Sequence, residues 1–270
     1  MNSPKKRKEK VLKFLLMFFS LTSIILLGCL AVWYVQYKNQ VRQNEQLAKI
    51  HEDSRQGILS FPEGETVVVI EPEDNRSEKL SEENPDYVGW ITAEGTRIDC
   101  PVVSRDNSFY LTHDFYGEKN RHGAIFLDAS CAAGDQNLLL HGHNMKDGTM
   151  FAGLKEYKKK DFRKSNGTIF FEIANEYRKY TVFAAARIDL TQEDFFHYEK
   201  LPQNQEDMNA YLKGIKENAV WYDADAMNKF DWKTTYMLVL STCEYGTADE
   251  RFIVVAECKR KQEETQREEQ

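Results

Sequence analysis

The stretch "LVLSTCEYGTADERFIVVAE", residues 238–257, decides how the chain is read. An apolar run, the end of "TYMLVLST" at 235–242, stops at Cys243. A polar segment follows, and eight residues after the cysteine Arg251 opens a second apolar run. Two short runs rich in Val, Leu and Ile, separated by a Gly-containing segment, read as neighbouring β-strands. If the segment is a simple return, Cys243 and Arg251 lie side by side on adjacent strands. A buried structural cysteine needs no such setting. A reactive thiol does, because a strand end beside a loop holds a side chain firmly and leaves it open to substrate.

The same pattern extends upstream. "YVGWITA", "TRIDCPVV", "GAIFLD", "NLLLHGH", "GTIFFEIA" and "RKYTVFAAARIDL" join "TYMLVLST" and "RFIVVAE" as short β-like runs separated by turn signals. "EDMNAYLKGIKENAVWY", 206–222, has helical spacing, with Met208, Tyr211, Leu212, Ile215 and Ala219 along one face. "TMFAGLKEY", 149–157, reads as a short helix after a turn. Many short strands and few helices predict a mainly β fold, an antiparallel or mixed barrel.

The N-terminus is of another kind. Between Val11 and Val35 the only charge is Lys13, and 25 residues of helix reach roughly 37 Å, enough to cross a bilayer core of about 30 Å. Trp33, Tyr34 and Tyr37 stand at the far end, where aromatic rings favour the interface. Lys5, Lys6, Arg7, Lys8 and Lys10 precede the span, so the positive-inside rule predicts a cytoplasmic N-terminus and an extracellular body. A cleaved signal peptide fits less well, because the run is long and no small-x-small site follows it. "LLGC" at 26–29 resembles a lipobox ending at Cys29, but "LAVWYV" continues the apolar run past it. Residues 38–60 are polar with sparse apolar positions and read as a helical stalk. Residues 61–86, with the patch "TVVVI", read as a linker, and the tail "KRKQEETQREEQ", 259–270, as a frayed polar end.

Removing the six basic residues and Glu9 of positions 1–13 from the 36 basic and 43 acidic side chains leaves 30 against 42, a net charge of −12. An acidic body excludes nucleic acid as the expected partner. Of the five cysteines, Cys29 lies in the span. Cys100, Cys131 and Cys258 read as small buried hydrophobes in a body large enough to fold on its core alone. No CxxC pair or zinc spacing is present, so neither metal nor cofactor is expected.

Nucleophilic catalysis by cysteine needs a proton-transfer partner and a group for the oxyanion. His143, in "NLLLHGHNMKDGTMF", sits where a strand becomes a loop, with Gly142 before it. Arg251 carries a planar, permanently charged fork suited to carbonyl oxygens. Singly, each signal has a structural reading. A cysteine at a strand end is more often packing, and an arginine at a strand start is more often a surface charge. His141 and His143 share a strand face and would suit a metal pair, although further ligands are wanting nearby. His51, His113, His122 and His197 lie in polar sequence and are assigned no role.

Taken together, "HGHNM" followed by "TMF", then "LSTC" and an arginine eight residues on, resemble the sortases of Gram-positive bacteria. "NPDYVGWITAEGTRIDCPVVSRDNSFYLTHDFYGEKNRHGAIFLD", 84–128, and the helix before the Cys strand sharpen the likeness to class B. Cys100 departs from the pattern, standing where a larger residue is expected.

The resemblance implies an eight-stranded sortase-type β-barrel with an added helix before the Cys strand. It implies a basic segment at 1–10, a signal-anchor helix at 11–35, a stalk and linker at 36–79, a catalytic domain at 80–258 and a tail at 259–270. It implies Cys243 as nucleophile, His143 rather than His141 as the catalytic histidine, and Arg251 as the third catalytic residue. The implied activity is transpeptidation: cleavage of a C-terminal sorting signal of secreted proteins after Thr, and transfer to an amine of a peptidoglycan precursor. A pilin-polymerising sortase and a non-catalytic membrane-anchored binding module are the alternatives.

Overall fold

The computed structural model describes residues 4–53, 61, 64–70, 76–243 and 249–260. The extreme N-terminus, parts of the 61–86 linker, most of the segment between Cys243 and Arg251, and the tail beyond 260 lie outside the described residues. The chain forms two units, Met1–Gln46 and Leu47–Gln270.

The first unit belongs to helix α1, Pro4–Asp53. Among the described residues one helix, Lys10–Lys49, is long and apolar enough to cross a membrane, its apolar 18-residue stretch having a mean hydropathy of 2.5. Leu16, Phe19, Ile24 and Leu27 stand exposed along it. Its hydroxyls are satisfied internally: Ser20 donates to Met17 O, and Thr22 and Ser23 donate to Phe19 O. Such back-bonding suits a helix surrounded by hydrocarbon, where no water can serve polar groups.

The second unit is a β-barrel. Its strands are β1 (Val67–Val69), β2 (Tyr87–Ala93), β3 (Asp99–Ser104), β4 (Ile125–Leu127), β5 (Asn137–His141), β6 (Thr168–Ile173), β7 (Glu176–Asp189), β8 (Ala219–Tyr222), β9 (Thr235–Cys243) and β10 (Glu250–Lys259). Its short helices are α2 (Arg76–Glu83), α3 (Lys160–Ser165), α4 (Gln205–Glu217) and α5 (Ala224–Asn228). Neighbours run β7-β10-β9-β5-β4-β3-β2-β6, and β6 pairs back onto β7, closing eight strands into a ring. All eight are the runs expected from sequence. The sheet is mixed, with β3–β4 and β5–β9 parallel and the other ring pairs antiparallel.

Two strands lie off the ring. The linker patch "TVVVI" supplies β1, which pairs with β7. α2 buries Leu80 completely, so residues expected as linker pack onto the barrel. The expected helix 206–222 is shorter. α4 ends at Glu217, and Ala219–Tyr222 forms β8 on β7, opposite the small side chains of Ala184, Ala185 and Ala186. Val220, Trp221 and Tyr222 favour an extended backbone, and the alanines let it approach. The stretch 149–157 is a 3-10 helix, Phe151–Lys158.

β5, β9 and β10 read as unbroken apolar runs because both their faces are buried. Leu138, Leu140, Leu238, Leu240 and Val254 point into the barrel. Leu139, Met237, Val239, Ile253 and Val255 point outward beneath α4, packing with Met208, Tyr211 and Ile215. α4 begins firmly: the Asn204 side chain accepts from the backbone N–H groups of Glu206 and Asp207, two acids that also suit a helix N-terminus. A third cluster, around Trp90, Tyr110 and Phe126, covers the outside of β2–β4. His51, assigned no role from sequence, is buried here, stacked 4.2 Å from Trp90 and donating Nε2–H to Glu172 at 3.3 Å.

All five cysteines are free. Cys100 and Cys258 are buried, and burial pushes both thiols above their ordinary pKa. Cys131 departs from the expectation: it is only half-buried and lines a cavity of about 430 Å³ with Asn137, Glu199 and Trp232.

Candidate active site

Cys243 closes β9 and Arg251 lies near the start of β10, and the two are direct partners across the antiparallel pair. Side chains alternate along a strand, so Cys243 shares a face with Ser241 and Val239, and Arg251 shares one with Ile253 and Val255. Val239, Ile253 and Val255 belong to the outer cluster beneath α4. The thiol and the guanidinium therefore occupy one outer face at the barrel's end, where directly opposed Cβ atoms stand about 4.5–5.5 Å apart. Both residues are half-buried.

Tyr198 supports this face. Ser241 donates its hydroxyl to Tyr198 Oη at 3.2 Å, and Tyr211 of α4 donates to the Tyr198 carbonyl at 2.7 Å. Burial raises the Tyr198 phenol above its ordinary pKa, while the Ser241 hydroxyl and the neighbouring Arg251 guanidinium pull it back down. α4 thus reaches the Arg251 side chain through two tyrosines.

His143 arrives from the other side of β9. β5 runs parallel to β9 with His141 opposite Ser241, and Gly142 N continues the ladder by donating to Ser241 O at 3.2 Å. A Cβ at Gly142 would lie 2.8 Å from the Phe151 ring, so the approach of that ring demands glycine. The next residues are held on both sides: Phe151 N donates to His143 O at 2.9 Å, and Asn144 Nδ2 donates to Cys243 O at 2.9 Å. The His143 ring donates Nε2–H to Leu111 O at 2.8 Å. That bond selects the Nε2–H tautomer of the neutral ring and leaves the lone pair on Nδ1.

His141 has a different setting. Its Nε2 donates to Asp128 Oδ2 at 2.8 Å. The same carboxylate accepts from Asn107 and from Ser130. Although burial raises the Asp128 pKa, the His141 and Ser130 donors prevail and hold it well below the usual carboxylate range. His141 is tied into the β4–β5 junction.

A family model of the sortase domain matches residues 91–259, well over half of the chain. The chain belongs to the sortase family. Sortase B of Listeria monocytogenes is 35% identical over 168 residues, covering 61% of this chain and 65% of the relative, just under two thirds of its length. Sortase B of Staphylococcus aureus is 32% identical over 184 residues, covering 66% of this chain and 72% of the relative. The structure of a Staphylococcus aureus sortase B–substrate complex superposes with a TM-score of 0.68 at 26% identity, covering 84% of this chain and 99% of that one. These likenesses place this sortase in class B.

Within this sortase, the structure brings Cys243 and Arg251 together across one strand pair and ties the His143 loop to Cys243 through Asn144. Sequence reasoning passed over Asn144, Tyr198 and the Leu111 carbonyl. Asn144 adjoins His143, and that adjacency was the one available signal. Nothing local marks Tyr198, and a backbone carbonyl has no signature at all.

Proposed function

We propose that this class B sortase is a membrane-anchored transpeptidase in which Cys243, His143 and Arg251 carry the reaction. The thiolate of Cys243 attacks the Thr carbonyl of a sorting signal, and the carbonyl oxygen becomes an oxyanion. Arg251, directly across the strand pair, donates to that oxygen. His143 delivers the Nδ1 proton to the departing amine, the C–N bond breaks, and a thioester to Cys243 remains. An incoming amine then attacks the thioester, its proton passes to Nδ1, and the new amide forms as the thiolate leaves. One amide is exchanged for another, with no net redox change and no cofactor.

The pairing of Cys243 with Arg251 across one half-buried strand end is the observation that carries this reading. The Staphylococcus aureus relative, described in complex with its substrate, supports a sorting-signal peptide as the substrate class. The apolar helix near the N-terminus supports membrane anchoring. The basic cluster before the span supports a cytoplasmic N-terminus and a catalytic domain facing the wall. An amine of a cell-wall precursor is the proposed acceptor.

The test uses the full chain in detergent micelles. A library of internally quenched sorting peptides with Thr at the cleaved position yields a reporter peptide. Wild type forms a thioacyl adduct on Cys243, detected by intact mass, and transfers it to an added amine. Cys243→Ala forms no adduct and keeps its circular dichroism. Cleavage by the Ala variant overturns the assignment. Glycine-type amines competing with a Lys side chain as acceptor separate wall anchoring from pilin polymerisation.

A further inference from the structure

His122 is completely buried, and its side chain bridges two segments that flank His143. Nε2 stands 2.7 Å from Asp147 Oδ2, with the two side chains 1% and 3% exposed. Nδ1 stands 3.1 Å from Asn120 Oδ1. The orientation of that amide follows from the backbone, because the same Oδ1 accepts the His122 N–H at 3.0 Å. Both ring nitrogens therefore face oxygen acceptors, and satisfying both requires a proton on each. Burial raises the Asp147 pKa, but donors from Thr149 and His122 outweigh it and hold the carboxyl below its usual value, as an ionised partner. A buried ion pair this close, whose acceptors are met from both sides, stores a large cost if either charge is removed.

The two segments it joins are those that hold the catalytic histidine. Asp147 organises the loop immediately after His143, accepting from Thr149 N and Oγ1, while Gly148 N donates to Met145 O. His122 belongs to the loop that returns to Tyr110, closed by Ala124 N donating to Tyr110 O. That loop presents Leu111 O to His143 Nε2. Gly123, with φ of +62°, adjoins His122 and packs so closely that a Cβ there would lie 3.3 Å from His143 Cδ2. The ring of His143 thus rests on the loop that carries His122, while its backbone runs on into the loop that carries Asp147.

We propose that His122 is a positioning residue for His143, acting as a buried imidazolium that clamps the 110–124 loop onto the loop of Asp147. This rests on the reading that His143 exchanges the proton. The charged or titratable groups around the clamp include Asp147, Asp114 (which accepts from Asn120 Nδ2), Arg97 (whose Nη1 donates to Asp147 O), the adjoining Arg121 and Lys146, and His143 itself. Loss of the clamp frees the Leu111 carbonyl from its register with His143, so the ring loses its single tautomer and its aim.

The experiment is imidazole nitrogen NMR on the full chain in micelles, with single-turnover cleavage of the reporter peptide. In wild type at neutral pH, both His122 nitrogens read as protonated, and neutral His143 reads as the Nε2–H form. A singly protonated His122 ring overturns the proposal without any mutation. In His122→Gln, or in Asp147→Asn should the first fail to fold, His143 becomes a mixture of tautomers and cleavage falls about tenfold or more per folded molecule, at little change in KM. Unchanged His143 signals, or a rate loss that only follows the folded fraction, make His122 a purely structural pair and sink the idea. If His143→Ala retains cleavage, the catalytic assignment of His143 fails instead, and the His122 spectra still report on the clamp.

Discussion

Asn144 donates its side-chain amide to the backbone carbonyl of Cys243 at 2.9 Å, across 99 residues of sequence. The residue after His143 is thereby fastened to the residue that carries the thiol. Replacing Asn144 with Ala removes one partly buried hydrogen bond, worth roughly 0.5–1.5 kcal/mol, and releases two strand ends from a common register. Turnover of the reporter peptide is expected to fall about two- to tenfold, with a small drop in melting temperature. An unchanged rate would separate the fastening from the chemistry.

Arg251→Lys is expected to be nearly as damaging as Arg251→Ala. Lysine keeps the charge and loses the planar fork that reaches more than one oxygen. An aligned oxyanion donor is worth about 2.7–4 kcal/mol, roughly a hundred- to thousandfold in rate. Single-turnover formation of the thioacyl adduct by wild type, Lys and Ala variants measures it. Recovery of most of the rate by Lys would reduce Arg251 to a charge near the thiolate.

His143→Ala is expected to abolish turnover, and His141→Ala to lower stability with a modest effect on rate. The first removes the nitrogen proposed to pass the proton. The second strips a donor from a nearly buried Asp128, leaving that carboxylate short of a partner at a cost of about 1–3 kcal/mol. Chemical denaturation and reporter cleavage, run side by side, give the ranking. The reverse order would mean that the two histidines had been exchanged.

The Asp128 carboxyl also sets a pH dependence. Its folded-state pKa is depressed, by the donors of His141 and Ser130, below its unfolded value of about 3.9. The stabilisation is therefore present above that unfolded value and disappears as the pH falls towards the folded one. Asp128→Asn is expected to be less stable than wild type near neutrality and to close the gap as acid is added below about pH 4. Parallel acid-titration melts check this. A gap that stays constant down to about pH 2 would remove Asp128 from the acid response.

The eight ring strands were legible because each is a short β-like run set off by turn signals, and β5, β9 and β10 bury both faces, a pattern that survives in one dimension. The N-terminal apolar helix was legible for a like reason, since its unbroken apolar run is visible along the chain. The break between α4 and β8 was not. Ala219 continues the helical face, and only the alanines of β7 beside it make a strand the better use of Val220, Trp221 and Tyr222. "TVVVI" was too short to betray a partner 111 residues away, as Val67 is from Arg178.

At the site, the residue types and their places at strand ends were written in the sequence, together with the resemblance that singled out His143 over His141. The means of holding them were not. Tyr198 beneath Ser241, the Leu111 carbonyl on His143, and His122 against Asp147 are contacts between segments that meet only after the barrel closes. Side-chain chemistry is local and can be read along the chain. Hydrogen-bond partners depend on distance in space, and that was decided by the tertiary fold alone.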